Sequence, residues 1–351
     1  MTVPGTVNAR GLVLDALGER PRLQELTVDP PGPGEVRVRM RAAGVCHTDV
    51  SQVRDARFTP ILLGHEGAGE VEAVGKGVEH LRPGDRVLVC WKVPCRRCRR
   101  CAAGQPHLCE DVAGLASPRT FRDGEPVGAM LNAGCFCDHV VLPAAGAVPI
   151  EVELPFEEAA LVGCGVATGV GAALWTADMP AGASVAVFGA GGVGLNVVVG
   201  ARLAGAARIV AIDPDESRLA LARARGATET LAPGDPLDPV DCAFEAVGTP
   251  EVMEQALASL APAGELVLVG AAARDATMPF HPRVFMSRQQ RITGCIYGSV
   301  DPPEHLPRLL AWAADGTIPL TDLIGRRVTL DELEDAFAEP ANGGVRTVVT
   351  F

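Results

Sequence analysis

Lysine is nearly missing from this chain: only Lys76 and Lys92 stand among the 31 basic residues, and the rest are arginine. We read this as a compositional bias that carries no mechanism. An excess of positive charge is missing too, since 43 acidic residues bring the formal net charge to −12. That balance excludes the basic face that nucleic-acid phosphates demand and favours a soluble protein acting on a small molecule. The residues Met1 to Gly11 lack the basic start and apolar run of a secretory signal. The chain is therefore expected in a reducing cytoplasm. Ser184 to Ala201 carries no charge over 18 residues, the lower edge of what could cross a bilayer. Its glycines between 189 and 194 point instead to a strand, a tight turn and a helix, so no membrane span is expected. There is no repeat at solenoid spacing and no low-complexity tract.

What is present is length and pattern. At 351 residues two domains are expected. The first half holds short β-type runs, "EVRVRMRAAGV" (35–45), "GAGEVEAVG" (67–75) and "DRVLVCW" (85–91), divided by turn residues. From about residue 165 apolar strands alternate with helix-like segments: "SVAVFGA" (184–190), "RIVAID" (208–213), "DCAFEAVG" (241–248), "GELVLVG" (264–270) and "RITGCIYG" (291–298). Such alternation implies a parallel sheet covered on both faces.

The first of these strands runs into Gly189-x-Gly191-x-x-Gly194, and Asp213 ends the second. In that context the glycines permit a turn, a close approach of backbone N–H groups to a pyrophosphate, and tight strand–helix packing. Asp213 suits an adenosine ribose hydroxyl and repels a 2′-phosphate, which favours NAD over NADP. Between the third and fourth strands, "APGDPLDPV" carries Pro233, Pro236 and Pro239, which forbid an ordinary crossover helix. The link must pass roughly 15 Å across the sheet and roughly 17 Å back along a strand. Nine extended residues reach about 30 Å, so it can do so without a helix.

Eleven cysteines in a reducing compartment point to metal ligands or buried thiols. Cys95, Cys98, Cys101 and Cys109 lie within one short segment, a spacing that closes a tetrahedral, structural zinc site. Arg96, Arg97, Arg99 and Arg100 are expected to give that lobe a basic, solvated face. A scattered set, Cys46, His65 and Cys164, offers three sulfur and nitrogen ligands and leaves a fourth position open, the arrangement of a catalytic zinc. In "CFCDH" a strand would send Cys135, Cys137 and His139 to one face; a third metal site is not expected there.

The motifs "GVCHTD", "GHEGAG", "GCGVATG", "GAGGVG", the four-cysteine lobe, Asp213 and the closing "GGVRTVVTF" together resemble a zinc-dependent alcohol dehydrogenase of the medium-chain dehydrogenase/reductase superfamily. The resemblance runs from about residue 8 to the C-terminus. It implies an α/β fold: a GroES-like β-rich catalytic domain from residues 1–165 and 300–351, and a Rossmann, doubly wound parallel-sheet domain from residues 166–299. It also implies NAD, two zinc ions per subunit, an active site in the cleft between the domains, and a homodimer or homotetramer.

Residue by residue, the resemblance gives Thr48 a hydrogen bond to the substrate oxygen and the first step of proton transfer. His47 faces the cofactor pyrophosphate, and Asp49 supports the metal ligands. Many relatives have a histidine where this chain has Ser51, so the proton route is expected to end at Ser51 or solvent. Glu66 is a transient ligand or a charge beside the metal. Arg218 lies beside the adenosine ribose and Arg346 reaches the pyrophosphate; Thr168 contacts nicotinamide. Gly192 and Val193 complete the glycine loop, and Trp91, Met130, Leu131 and Ile296 fall at substrate-pocket positions. The reaction implied is hydride transfer between NAD(H) and a primary alcohol or aldehyde. Two alternatives are a mycothiol-dependent formaldehyde dehydrogenase acting on an S-hydroxymethyl thiol adduct, suggested by "CWKVPC" and "GCGVATGVGAAL", and a noncatalytic module that kept the fold.

Overall fold

Val36, Val38, Met40 and Ala42 alternate with Arg37, Arg39 and Arg41, and this period of two forms strand β1, Glu35–Val45. The apolar side chains are buried, while Arg37 and Arg41 ion-pair with Glu72 and Glu70 on the antiparallel neighbour β2, Glu66–Val74. The computed structural model describes residues 5–111, 118–338 and 346–351. Of the closing "GGVRTVVTF", therefore, only Arg346 onward lies within the described residues.

The chain divides into two compact units, Met1–Cys164 with Asp301–Phe351, and Gly165–Val300. In the first unit a seven-stranded sheet centred on β1 faces a six-stranded one that includes Val7–Leu14 and Arg22–Val28. Leu12, Met40, Leu62, Phe136 and Val140 fill its core. The C-terminal strand Arg346–Thr350 pairs antiparallel with the end of β1, Thr347 opposite Val45, while Glu66 of β2 stands opposite Gly44. One strand end thus gathers residues from three distant parts of the chain. Immediately after it the helix α1, His47–Asp55, begins.

The second unit is a parallel sheet of six strands. They are β3 (Ser184–Phe188), β4 (Arg208–Ile212), β5 (Glu229–Leu231), β6 (Val240–Glu245), β7 (Leu260–Leu268) and β8 (Arg291–Gly294), in the order β5-β4-β3-β6-β7-β8. Strand order reverses between β3 and β6, the crevice where ligands bind in such sheets. Helix α2, Gly194–Leu203, follows β3 directly, so the uncharged run from Ser184 is strand, turn and helix. Residues 232–239 connect β5 to β6 without a helix, as the prolines require, and half-buried Leu237 packs on the sheet's apolar core. Phe156–Thr176 is apolar and long enough to span a bilayer by composition, but its window is 78% buried inside the structure, as a core helix is.

Two differences from the sequence reading concern local structure. Cys135 and Cys137 do not share a strand face with His139: the strand starts only at His139, and Cys137 makes a single bridge to Gly11. Both thiols are buried and pushed above their ordinary range by that burial. The last strand is also shorter than "RITGCIYG", ending at Gly294.

Candidate metal centre and dinucleotide site

Cys46 follows β1 in extended backbone and caps α1, where its N–H donates to Asp49 Oδ2 at 2.8 Å. The other oxygen of Asp49 lies 2.8 Å from His65 Nδ1, and both side chains are buried. That contact occupies Nδ1 and leaves Nε2 as the free ligand nitrogen. Cys164 sits on a widened helical turn, Val162–Val166. The ligand atoms of Cys46, His65, Glu66 and Cys164 all lie within 4.8 Å of one another, and all four residues are buried.

This donor set fits zinc. Two thiols and an imidazole are its preferred ligands, and both Glu66 oxygens lack a hydrogen bond although buried. The electrostatics of the four donors favour the deprotonated form at Cys46 alone. A hydrogen bond from Cys164 holds the Cys46 thiol well below its ordinary range, with Arg346 and His65 adding to the effect against burial, and the Cys164 thiol rises correspondingly. Burial opposes charge on His65, yet Asp49 and Cys46 raise it overall. Burial lifts Glu66 to about 7 against the pull of Arg346.

Arg346, which the resemblance aims at the pyrophosphate, pairs within the first unit in this structure. Its guanidinium is buried, 3.4 Å from Glu66 Oε1, and also donates to the carbonyl of Val45. Nothing in the spacing of the two residues announces this pair. It arises from the register that sets Arg346–Thr350 beside β1 and β1 beside β2. Trp91 stands edge-on to His65 at 6.2 Å between ring centroids.

The lobe of Cys95, Cys98, Cys101 and Cys109 forms a second four-donor group. Cys98 Sγ and Cys109 Sγ are 3.9 Å apart, close to the edge of about 3.8 Å of a tetrahedron with Zn–S arms of about 2.3 Å. Backbone N–H groups of Cys101 and Glu110 bring Cys98 down to about 6. The neighbouring arginines are not a bare basic face. Arg96 pairs with Asp301, Arg97 with Asp111, and Arg99 and Arg100 with Glu110. These are the only two such groups of three or more metal-binding side chains among the described residues.

In the second unit Gly189 leaves β3 with φ of +93°, and a Cβ on Gly194 would stand 1.7 Å from the Gly189 carbonyl oxygen. The turn therefore demands glycine at both ends. A Cβ on Gly191 would meet nothing within 4 Å, so the space beside the loop is open. Val193 caps α2 with no side-chain acceptor, which leaves the helix N-terminus to an anion; with Gly192, these residues fit a pyrophosphate. Asp213 is 3% exposed, accepting from Ala190 N at 2.8 Å and Asp215 N at 2.9 Å. Arg218 approaches it to 3.8 Å. Asn196 escaped the sequence reading: the one polar residue in an apolar helix start, it donates to the Gly192 carbonyl at 2.7 Å.

The remaining candidates are placed as follows. Thr48 is half-buried on the first turn of α1, and its carbonyl accepts from Ser51 Oγ at 2.9 Å. His47 is exposed, and Thr168 is half-buried in the second unit. Met130, expected at the substrate pocket, is 1% exposed within the apolar core, while Leu131, with φ of 51°, and Ile296 are exposed.

Residues 32–152 match the alcohol dehydrogenase GroES-like domain, and residues 192–315 the zinc-binding dehydrogenase domain. The chain is 33% identical to alcohol dehydrogenase 6 of Peromyscus maniculatus, over 97% of each chain. It is 34% identical to S-(hydroxymethyl)glutathione dehydrogenase of Haemophilus influenzae, over 99% of each. The crystal structure of benzyl alcohol dehydrogenase from Acinetobacter calcoaceticus superimposes with a TM-score of 0.89 at 29% identity, covering 98% of this chain and 99% of that one. Likeness of this degree from end to end makes the chain a member of the zinc-dependent alcohol dehydrogenases of the medium-chain dehydrogenase/reductase superfamily.

Proposed function

We propose that this dehydrogenase transfers hydride between NAD(H) and a primary alcohol or its aldehyde, with Cys46, His65 and Cys164 holding a catalytic zinc and Cys95, Cys98, Cys101 and Cys109 a structural one. The observation that carries the reading is the buried set of Cys46, His65, Glu66 and Cys164, whose imidazole Nδ1 is already taken by Asp49. A zinc ion bound there supplies a Lewis acid that polarises the substrate oxygen. Thr48, two residues beyond Cys46, offers the hydroxyl that hydrogen-bonds this oxygen and carries its proton away. Ser51 lies one helical turn on and passes the proton to water, since a serine hydroxyl has no suitable pKa of its own. Trp91, edge-on to His65, gives the substrate side of the metal set an aromatic wall.

Asp213 favours NAD: its buried carboxylate presents negative charge where a 2′-phosphate would fall. The eleven free cysteines suit a reducing cytoplasm. Strand β8 is an edge of its sheet, and Phe280, Val284 and Met286 in the segment that leads into it are exposed; we read this face as a contact of a homodimer or homotetramer.

A thiol-adduct substrate is the second reading, favoured by the likeness to S-(hydroxymethyl)glutathione dehydrogenase. The test is NAD reduction by zinc-loaded protein, comparing an aromatic primary alcohol with formaldehyde, with and without mycothiol or glutathione. Turnover of the alcohol alone supports the first reading, and turnover only with formaldehyde plus thiol supports the second. Silence with every substrate, despite bound zinc and NADH, favours a noncatalytic module.

A further inference from the structure

Glu245 is fully buried at the C-terminal end of β6 and belongs to neither ligand set. Its Oε1 accepts from the amides of Val247 at 2.8 Å and Gly248 at 2.6 Å. Its Oε2 has no hydrogen-bond partner. A buried carboxyl with one oxygen unmatched is costly, so it requires a reason.

The reason lies in what the two amides hold. β6 neighbours β3 at the point where strand order reverses, with Phe188 opposite Glu245, and Ala246 N donates to the Phe188 carbonyl. The residues just after β3 are the glycine loop; those just after β6 are Ala246, Val247 and Gly248. A Cβ on Gly189 would lie 2.7 Å from Val247 Cγ2, so Val247 closes over the start of the loop while remaining 47% exposed. On the far side a Cβ on Gly270 would stand 2.8 Å from Glu245 Oε2 and 2.3 Å from Gly248 N. The amides of Val269 and Gly270 donate to the Glu245 carbonyl. The Glu245 carbonyl therefore ties the ends of β6 and β7 to each other, while its side chain holds the amides of Val247 and Gly248 beside the glycine loop.

We propose that Glu245 is a positioning residue for the dinucleotide: through the amides of Val247 and Gly248 it fixes the lip of the crevice opposite the glycine loop. This rests on the reading of that loop as a dinucleotide site. Glutamine in its place keeps a carbonyl acceptor for both amides. Methionine keeps the bulk but takes the acceptor away from both amides, so nothing on the side chain holds the lip in place.

The experiment is NADH titration by fluorescence on zinc-loaded wild type, Glu245→Gln and Glu245→Met, with steady-state kinetics alongside. Glu245→Met is expected to weaken NADH binding and raise the NAD KM about tenfold or more, with kcat at saturating NAD falling less than about threefold; Glu245→Gln is expected to bind NADH within about threefold of wild type. Equal NADH affinity in wild type and Glu245→Met overturns the proposal while leaving the dinucleotide reading intact. An equal loss in both variants, or a loss confined to kcat, also overturns it. No NADH binding to the wild type overturns both. Should Glu245→Met fail to fold, amide exchange in the wild type decides: Val247 and Gly248 must be protected without cofactor and further slowed by NADH, and free exchange in either state overturns the proposal.

Discussion

Asp49 bridges a backbone amide and a buried imidazole: Oδ2 accepts from Cys46 N and Oδ1 meets His65 Nδ1, each at 2.8 Å. One carboxylate thus sets the position of two proposed zinc ligands. Asp49→Asn is expected to weaken zinc binding at the Cys46 site about 10–100-fold. Zinc content after dialysis against a graded chelator checks this, with the four-cysteine lobe as internal reference; retention of both zinc equivalents at the wild-type chelator concentration contradicts it.

The four-cysteine lobe is expected to be a stability device. Cys101→Ser removes a ligand from a site with no spare donor, so one of the two zinc equivalents is lost. Tm is expected to fall by on the order of several degrees. NADH affinity is expected to be unaffected because the glycine loop belongs to the other unit. Differential scanning calorimetry with metal analysis tests both parts.

Ser51 donates to the Thr48 carbonyl and ends the proposed proton route. Ser51→His places a base with an ordinary pKa of about 6.5 at that point. Alcohol oxidation needs the neutral, accepting imidazole, so the rate of hydride transfer is expected to gain a step that rises with pH through about 6–7. A stopped-flow pH profile identical to that of the wild type excludes the route.

Asp213 holds the amides of Ala190 and Asp215, so its loss both opens the ribose site and loosens the glycine loop. Asp213→Asn is expected to weaken NAD and to shift the NADP-to-NAD ratio of kcat/KM upward by about tenfold or more, with Arg218 released from Asp213 and paired only with Asp215. Kinetics with both cofactors measure the ratio; an unchanged ratio removes Asp213 from cofactor selection.

Met286 is 72% exposed and Val284 48% exposed on the short helix that leads into the edge strand β8. If two copies meet there, Met286→Asp together with Val284→Asp buries charge in the contact. The double variant is expected to sediment as a monomer while the parent sediments as a dimer, each chain being 36.4 kDa. The same mass for both proteins rules this face out as the contact.

Much of this was written locally in the chain. Short-range spacing determined which residues could turn, cap or ligate: the glycines between 189 and 194, the four cysteines of the lobe, and the prolines that leave residues 232–239 without a helix each act through their own backbone or a few neighbours. Partners across the sheets were not readable in the same way. Glu66 meets Arg346 only because two antiparallel registers bring their strands to one end of β1, and Glu245 becomes a tie only because β6 lies between β3 and β7. Met130 and Leu131 are adjacent in sequence, yet one is core and the other exposed, since a left-handed backbone at Leu131 turns its side chain outward. The sequence by itself determined the chemistry available, because ligand types and turn residues carry it in their own atoms. The tertiary structure decided which of those groups face one another, because pairing and burial depend on strand register and packing that no local spacing contains.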